Sequence, residues 1–279
     1  MKIFPALFGI LLFSSAYAQK IVNKAIVKTQ TEIVFPENPG GPGGGPDGDR
    51  GNIMGGMSGL DLTSTIYFKG DMTKIESTSD FGNNITITDR KNKKTTTLME
   101  MMGKKMGFYS TEEDEKIMRA RQDSIRAQRR DSLQKMGINV APSPAPEVIY
   151  TEETKKIAGY TCKKAVIKTK NRQGEISEST VWYCPEFKMA EGFSMNAGGG
   201  MGRAMMGGLN GLDMVNGFPM EYEMQRANGM KVHMVVTKVQ LEATIEDKTF
   251  EIPKGYDIKP MSEMAGPGGG GRMFRMGEN

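Results

Sequence analysis

The chain has 279 residues, with 37 Lys or Arg against 33 Asp or Glu and a net charge of +4. That balance gives no ground for a polyanion such as nucleic acid as partner. A single histidine leaves little material for histidine-based catalysis, whereas 24 methionines are an unusual abundance.

Residues 1–18 read as a signal peptide. Lys2 supplies a basic start, Ile3 to Leu12 an apolar core, and Ala16-Tyr17-Ala18 a small-X-small cleavage pattern. The apolar run is too short for a comfortable membrane span, and no later stretch approaches ~20 apolar residues. Removing Lys2 with the leader leaves 36 basic and 33 acidic residues, a net of +3. Residues 19–260 are expected to form a single β-rich domain with insertions, large enough to bury a substantial core.

Lys20 to Phe35 alternates as one long first strand, with Ile21, Ala25 and Val27 set against Lys20, Lys24 and Lys28. Residues 37–59 are rich in Gly and Pro. They are expected to be a flexible insertion, because such a stretch offers little apolar surface to bury. It lacks the Gly-Lys-Ser/Thr ending of a phosphate-cradling loop. Leu60 to Met102 reads as an antiparallel meander turning at Gly70, at Gly82 to Asn84 and at Asp89 to Lys93.

Residues 111–136 are the one strong helix. Thr111 and Asp114 have capping-box spacing. Glu112 to Glu115 make the first turn acidic, and Arg119, Arg121, Arg126, Arg129, Arg130 and Lys135 make the rest basic, which suits the helix dipole. Met118, Ile125, Leu133 and Met136 span a sector of about 80° at the helical period, so the helix is expected to lay one narrow stripe on the sheet. Its basic face is either a dock for lipid headgroups or an acidic partner, or a solvated surface held by pairs such as Glu115–Arg119. Residues 137–146 end in a Pro-rich linker that returns the chain to the sheet.

Tyr160 to Thr169 and Ile176 to Cys184 are β-branched and aromatic, and they flank a polar loop with Gly174. A hairpin centred on Gln173 sets Cys162 opposite Cys184, Lys164 opposite Trp182 and Lys168 opposite Glu178. Ala165 and Val181 then meet on the other face. Opposed side chains are about 4.5–5.5 Å apart at Cβ, near enough for a disulfide between the chain's two cysteines. Two unpaired buried thiols are the plain alternative. A redox-active pair lacks its Cys-X-X-Cys, and two thiolates do not complete a zinc site.

Residues 192–211 form a second Gly/Met-rich insertion. Met220 to Arg226, a turn at Asn228-Gly229, and Met230 to Ile245 read as a further hairpin. Phe250 to Tyr256 closes the domain, and residues 261–279 are expected to be a disordered Gly/Met-rich tail. His233 lies between Val232 and Met234 in a strand, the setting of a packed or edge histidine. The methionines read as core, as a pocket lining, or as Cu(I) ligands, since thioethers are both soft donors and adaptable apolar groups.

Several strings recur in a familiar order: Lys69-Gly70-Asp71-Met72, then TKKIAGYTCKKA from Thr154 to Ala165, Val181-Trp182-Tyr183, Gly217-Phe218-Pro219-Met220, and FEIPKGY from Phe250 to Tyr256. Over residues 60–110 and 147–260 the chain resembles exported proteins of Gram-negative bacteria grouped as domains of unknown function with a LolA/LolB-like fold. GLPGLI-type exported proteins are similar around the Ile-X-Gly-Tyr-X-Cys-X-Lys-Ala string. The resemblance implies an antiparallel curved sheet or half-barrel with an apolar concavity, and relatives of that fold carry lipoproteins or lipids.

The expectation is therefore a mainly β (α+β) fold with one long charged helix inserted. Its place is the periplasm or cell envelope, with no enzyme activity, cofactor, metal or transmembrane span. Its partner is a lipid or other apolar ligand in the half-barrel. The alternative is an envelope structural or interaction protein that uses its Gly/Met-rich loops and basic helix, and a third reading is Cu(I) binding through methionines.

Overall fold

The structure, a computed structural model, describes residues 19–36, 58–101, 103–136, 144–170, 176–191, 193, 211–225 and 229–264. The expected leader, most of both Gly-rich insertions and the tail beyond residue 264 lie outside the described residues.

The segment expected to be one first strand is two, β1 (Lys20–Val22) and β2 (Lys24–Val34). Asn23 breaks the run, and its carbonyl accepts the Gly70 amide at 2.9 Å. Next come β3 (Gly59–Lys69), β4 (Met72–Ser79), β5 (Gly82–Asp89), β6 (Lys94–Met101) and β7 (Lys104–Ser110), the expected meander. β3 starts at Gly59, so the last residue assigned to the first insertion belongs to the sheet. α1 (Glu112–Lys135) leads to β8 (Glu147–Ile157), β9 (Tyr160–Lys170), β10 (Ile176–Cys184) and β11 (Phe187–Met189). β12 (Phe218–Gln225), β13 (Lys231–Leu241) and β14 (Asp257–Pro260) complete the sheet.

Twelve strands form one curved, open, mostly antiparallel sheet in the order β14-β7-β6-β5-β4-β3-β2-β13-β12-β10-β9-β8. A second sheet is just β1 paired in parallel with β11. Asp247–Phe250 is a 3-10 turn, and the strand after it, β14, runs parallel to β7. β13 stops at Leu241, short of the expected Ile245. There Glu242 takes a left-handed φ of 53°, and the chain crosses over β4. Lys69 fastens that crossing through the Ile245 carbonyl at 3.0 Å and Asp247 at 2.5 Å. Met261–Met264 forms one helical turn, so the first four residues assigned to the disordered tail are helical.

Period-two alternation sorts the residues of β2: Ala25, Val27, Thr29, Thr31 and Ile33 are buried on one face, here called inner. One row of that face runs Val27, Ile66, Ile75, Thr86, Thr97, Phe108 across six strands, and every member is buried. On the other side of β2, Val232, Met234 and Val236 of β13 and Met220, Tyr222 and Met224 of β12 extend the same face into the main core. Four of the methionines flagged in the sequence (Met220, Met224, Met230 and Met234) are core side chains.

Candidate functional site

The β9–β10 hairpin adopts the expected register, with Lys168 opposite Glu178, Lys164 opposite Trp182 and Ala165 opposite Val181. Lys168 and Glu178 form an ion pair at 2.9 Å. The ladder ends at Tyr183 opposite Lys163, one step before Cys184 and Cys162. Both cysteines are fully buried thiols in the main core. Burial pushes the Cys162 thiol up to about 12, with the neighbouring Cys184 a further cause, and burial also raises Cys184. The wall around Cys184 is tight: a Cβ at Gly217 would lie 2.3 Å from the Cys184 carbonyl oxygen.

The inner face beside this hairpin carries a chain of aromatic contacts. Phe68 meets Phe193 edge-on at 5.3 Å, and Phe193 lies 5.6 Å from Phe218. Phe218 stacks on Phe187 at 5.2 Å, and Phe187 meets Tyr160 at 5.3 Å. Phe193 comes from the stretch assigned to the second insertion, so at least this residue of it is anchored. These rings link β3 to β9 and β12 and occupy the side of the sheet where an apolar ligand was expected. Ring pairs of this kind add roughly 0.5–1.5 kcal/mol each beyond their area burial.

On the outer face lies a polar constellation containing the chain's single tryptophan and single histidine. Glu221 on β12 receives Lys155 Nζ at 2.6 Å on one oxygen and meets His233 Nε2 at 3.2 Å on the other. Lys155 Nζ also sits 4.4 Å from the Trp182 ring centre. Lys164, 5.9 Å from the same ring, bonds Glu153 at 2.8 Å. His233, its side chain 44% exposed, is thus tied to a carboxylate already held by a lysine. Sequence spacing could not assemble this group, because its members come from five strands.

α1 matches its expected bounds and cap. Thr111 Oγ1 accepts the Asp114 amide at 3.3 Å, and Asp114 Oδ2 accepts the Thr111 amide at 2.8 Å. Its placement does not match. The helix packs against β7, the strand it leaves, and from Arg119 to Ser132 every described side chain is exposed. Ile117, Ile125 and Met136 are 58%, 54% and 71% exposed. The expected stripe is therefore not laid on the sheet. Thirteen ionisable groups among the 24 helical residues cost nothing in water, whereas an interrupted apolar row has little to gain from docking.

At the root of α1 a cavity of about 350 Å³ opens between the helix and the β5–β6 turn. Arg90, Lys93, Lys94, Lys116 and Arg119 line it together with Asp89, Glu112 and Glu115. Lys93–Glu112 at 2.8 Å, Lys116–Glu112 at 3.6 Å and Arg119–Glu115 at 3.2 Å pair part of this charge and leave the lining with more cations than carboxylates. Its polar lining suits water and ions rather than an acyl chain. Among the described residues, no three His, Cys, Asp or Glu side chains are grouped to hold a metal ion, and no helix is long and apolar enough to cross a membrane.

A family described as a domain of unknown function, DUF4412, matches residues 147–256. The match coincides with the second of the two stretches on which the sequence resemblance rests; residues 60–110 lie outside it. No curated protein matches the chain. Two solved structures of PNGF-II, in space groups C2 and P21, align over 86% and 87% of this chain at 15% identity and a TM-score of 0.35. The chain spans about a third of their length, 32% and 33%. A Vibrio parahaemolyticus domain described as an outer membrane lipoprotein-sorting protein domain aligns over 82% of this chain and 89% of its own. Its identity is 8% and its TM-score 0.30. Alignments at these scores carry no argument about what this chain does.

Proposed function

We propose that this chain is an exported cell-envelope protein that works by binding rather than by catalysis, and that α1 is the surface it presents. The observation that carries this reading is the exposure of α1. A helix of 24 residues, about 36 Å long, stands with Ile117, Ile125 and Met136 open to solvent. Large apolar side chains set among charges on an unpacked helix are what a partner can cover. The basic second half, with Arg126, Arg129, Arg130 and Lys135 against Asp123 and Asp131, favours a partner whose surface is acidic around an apolar strip.

The test is a photo-crosslinking amino acid at Ile125 in the full chain, expressed with its leader in a Gram-negative host. The expected result is a discrete adduct that disappears in the Arg126→Glu/Arg130→Glu variant. A helix that labels nothing but water, or an adduct indifferent to those charges, refutes the reading.

A second reading, an apolar ligand held by the curved sheet, is favoured by the path of the chain. α1 leaves from β7, next to one edge of the sheet, and the chain returns as β8, the opposite edge strand. A ligand lodged between those edges would meet Ile117 and Ile125 rather than the inner face already filled by Phe187, Phe193 and Phe218. Native mass spectrometry with a fatty-acid probe separates the two: uptake lost on Ile117→Glu/Ile125→Glu supports the ligand, and a clean apo mass rejects it.

A further inference from the structure

We propose that Cys162 and Cys184 are joined by a disulfide made while the β9–β10 hairpin is still open, and that the fold then seals the bond as a permanent staple. Three observations carry this. The antiparallel ladder runs unbroken from Ile176–Lys170 to its end at Tyr183–Lys163, and carrying its register one step further sets Cys184 opposite Cys162. Directly opposed residues present their Cβ atoms at the separation a disulfide spans. The chain has no other cysteine with which either could pair.

Burial decides when the bond forms. Both residues are fully buried, on β9 and β10, and Cys184 lies opposite Phe218 in the ladder with β12. Phe218 in turn stacks on Phe187. Exchange needs a thiolate and in-line access to sulfur, and the closed core denies both. The oxidant is a low-molecular-weight or protein disulfide encountered during export. One cysteine thiolate attacks it, forming a mixed disulfide and releasing one thiolate. The second cysteine thiolate then attacks the mixed disulfide at the protein sulfur and releases the other. Two electrons pass to the oxidant, which leaves as two thiols, and the protein loses two hydrogens.

The burial that blocks oxidation after folding also blocks reduction. The pair is therefore structural, with no role as a switch. It clamps the hairpin next to β8, whose register slips between Tyr150 and Thr154 and which forms the sheet edge.

The experiment starts with full chain secreted through an oxidising compartment and purified without reductant. The expected peptide map shows Cys162 linked to Cys184, and the native protein keeps the bond in dithiothreitol until denaturant is added. Protein refolded in reduced glutathione should hold two thiols that oxidised glutathione fails to join unless the chain is unfolded again. Free thiols in the secreted protein overturn the proposal. Rapid oxidation or reduction of the folded protein overturns the sealing. The Cys162→Ala/Cys184→Ala variant, compared with oxidised protein, should show an unfolding constant larger by roughly a hundredfold. Should that variant fail to fold, the wild-type chain refolded reduced supplies the same comparison.

Discussion

The β9–β10 hairpin and α1 were equally clear as local elements, yet they stand in opposite relations to the rest of the molecule. The hairpin is sewn in on both sides, to β8 and to β12, and its Ala165, Ile167, Val181 and both cysteines are buried. α1 has a complete cap and an unbroken run of helix, but its middle touches solvent on every described side chain. A period-two pattern sets strand register and buried face together, because a one-residue slip would turn the whole apolar set outward. A helical pattern sets which face is apolar without saying whether anything covers it.

The largest effect that can break this contrast lies in the hairpin's own core. Phe218 is buried between Phe187 and Phe193. Phe218→Ala should cost about 3–5 kcal/mol, read from urea denaturation, through lost transfer energy and the cavity left behind. A cost below about 1 kcal/mol would mean that the aromatic chain is loosely packed and that the inner face has room for a ligand after all.

Next comes the alkaline limb of stability. Reduced protein contains a Cys162 thiol held near 12 by burial, whereas an unfolded cysteine ionises at about 8.5. The folded value is raised, so the contribution is complete below about 8.5 and is lost as pH rises toward about 12. Burial also raises the phenol of Tyr222, adding a loss that begins near the ordinary tyrosine value of about 10. Denaturation midpoints of reduced protein should therefore fall between pH ~8.5 and ~10, while disulfide-linked protein should hold level there, having no thiol to ionise. Parallel curves for the two forms would contradict the burial of the pair.

These two regions also show what the sequence could and could not disclose. The meander, the hairpin register and the helix with its cap were legible because each follows from contacts within a few residues or across a tight turn. The break at Asn23, the parallel pairing of β1 with β11, and the parallel addition of β14 to β7 were not. Each joins segments far apart in sequence, and no periodicity records the partner. The Glu221–Lys155–His233 group was invisible for the same reason. The aromatic chain on the inner face was half legible. Phe218 stood in one of the strings picked out in the sequence, but nothing singled out Phe187, and Phe193 stood at the edge of a Gly-rich stretch, where composition argues against packing.

A smaller effect tests the cap of α1. Thr111 holds both halves of the capping box with Asp114. Thr111→Ala should weaken the helix by about 1 kcal/mol, seen as faster amide exchange in residues 112–118, and leave global stability nearly unchanged. A fall in global stability of similar size would tie helix and sheet into one cooperative unit.

The smallest expected effect is the most telling for α1. Ile125 is 54% exposed and sits in the stretch of α1 with no buried side chain described. Ile125→Ala removes little packing and replaces a β-branched residue with the best helix former, so stability should shift by no more than about 0.5 kcal/mol, and toward greater stability. The same substitution should weaken whatever covers the helix, since an apolar anchor at the centre of a contact carries a large share of its energy. Silence in thermal denaturation together with loss of the Arg126-dependent crosslink, placed for this variant at Ile117, would mark α1 as a surface kept for binding. A cost of 2 kcal/mol or more, on the scale of a buried Ile→Ala change, would mean instead that the stripe of Met118, Ile125, Leu133 and Met136 does lie on the sheet in solution. The helix would then belong to the core and would no longer be a surface open to a partner.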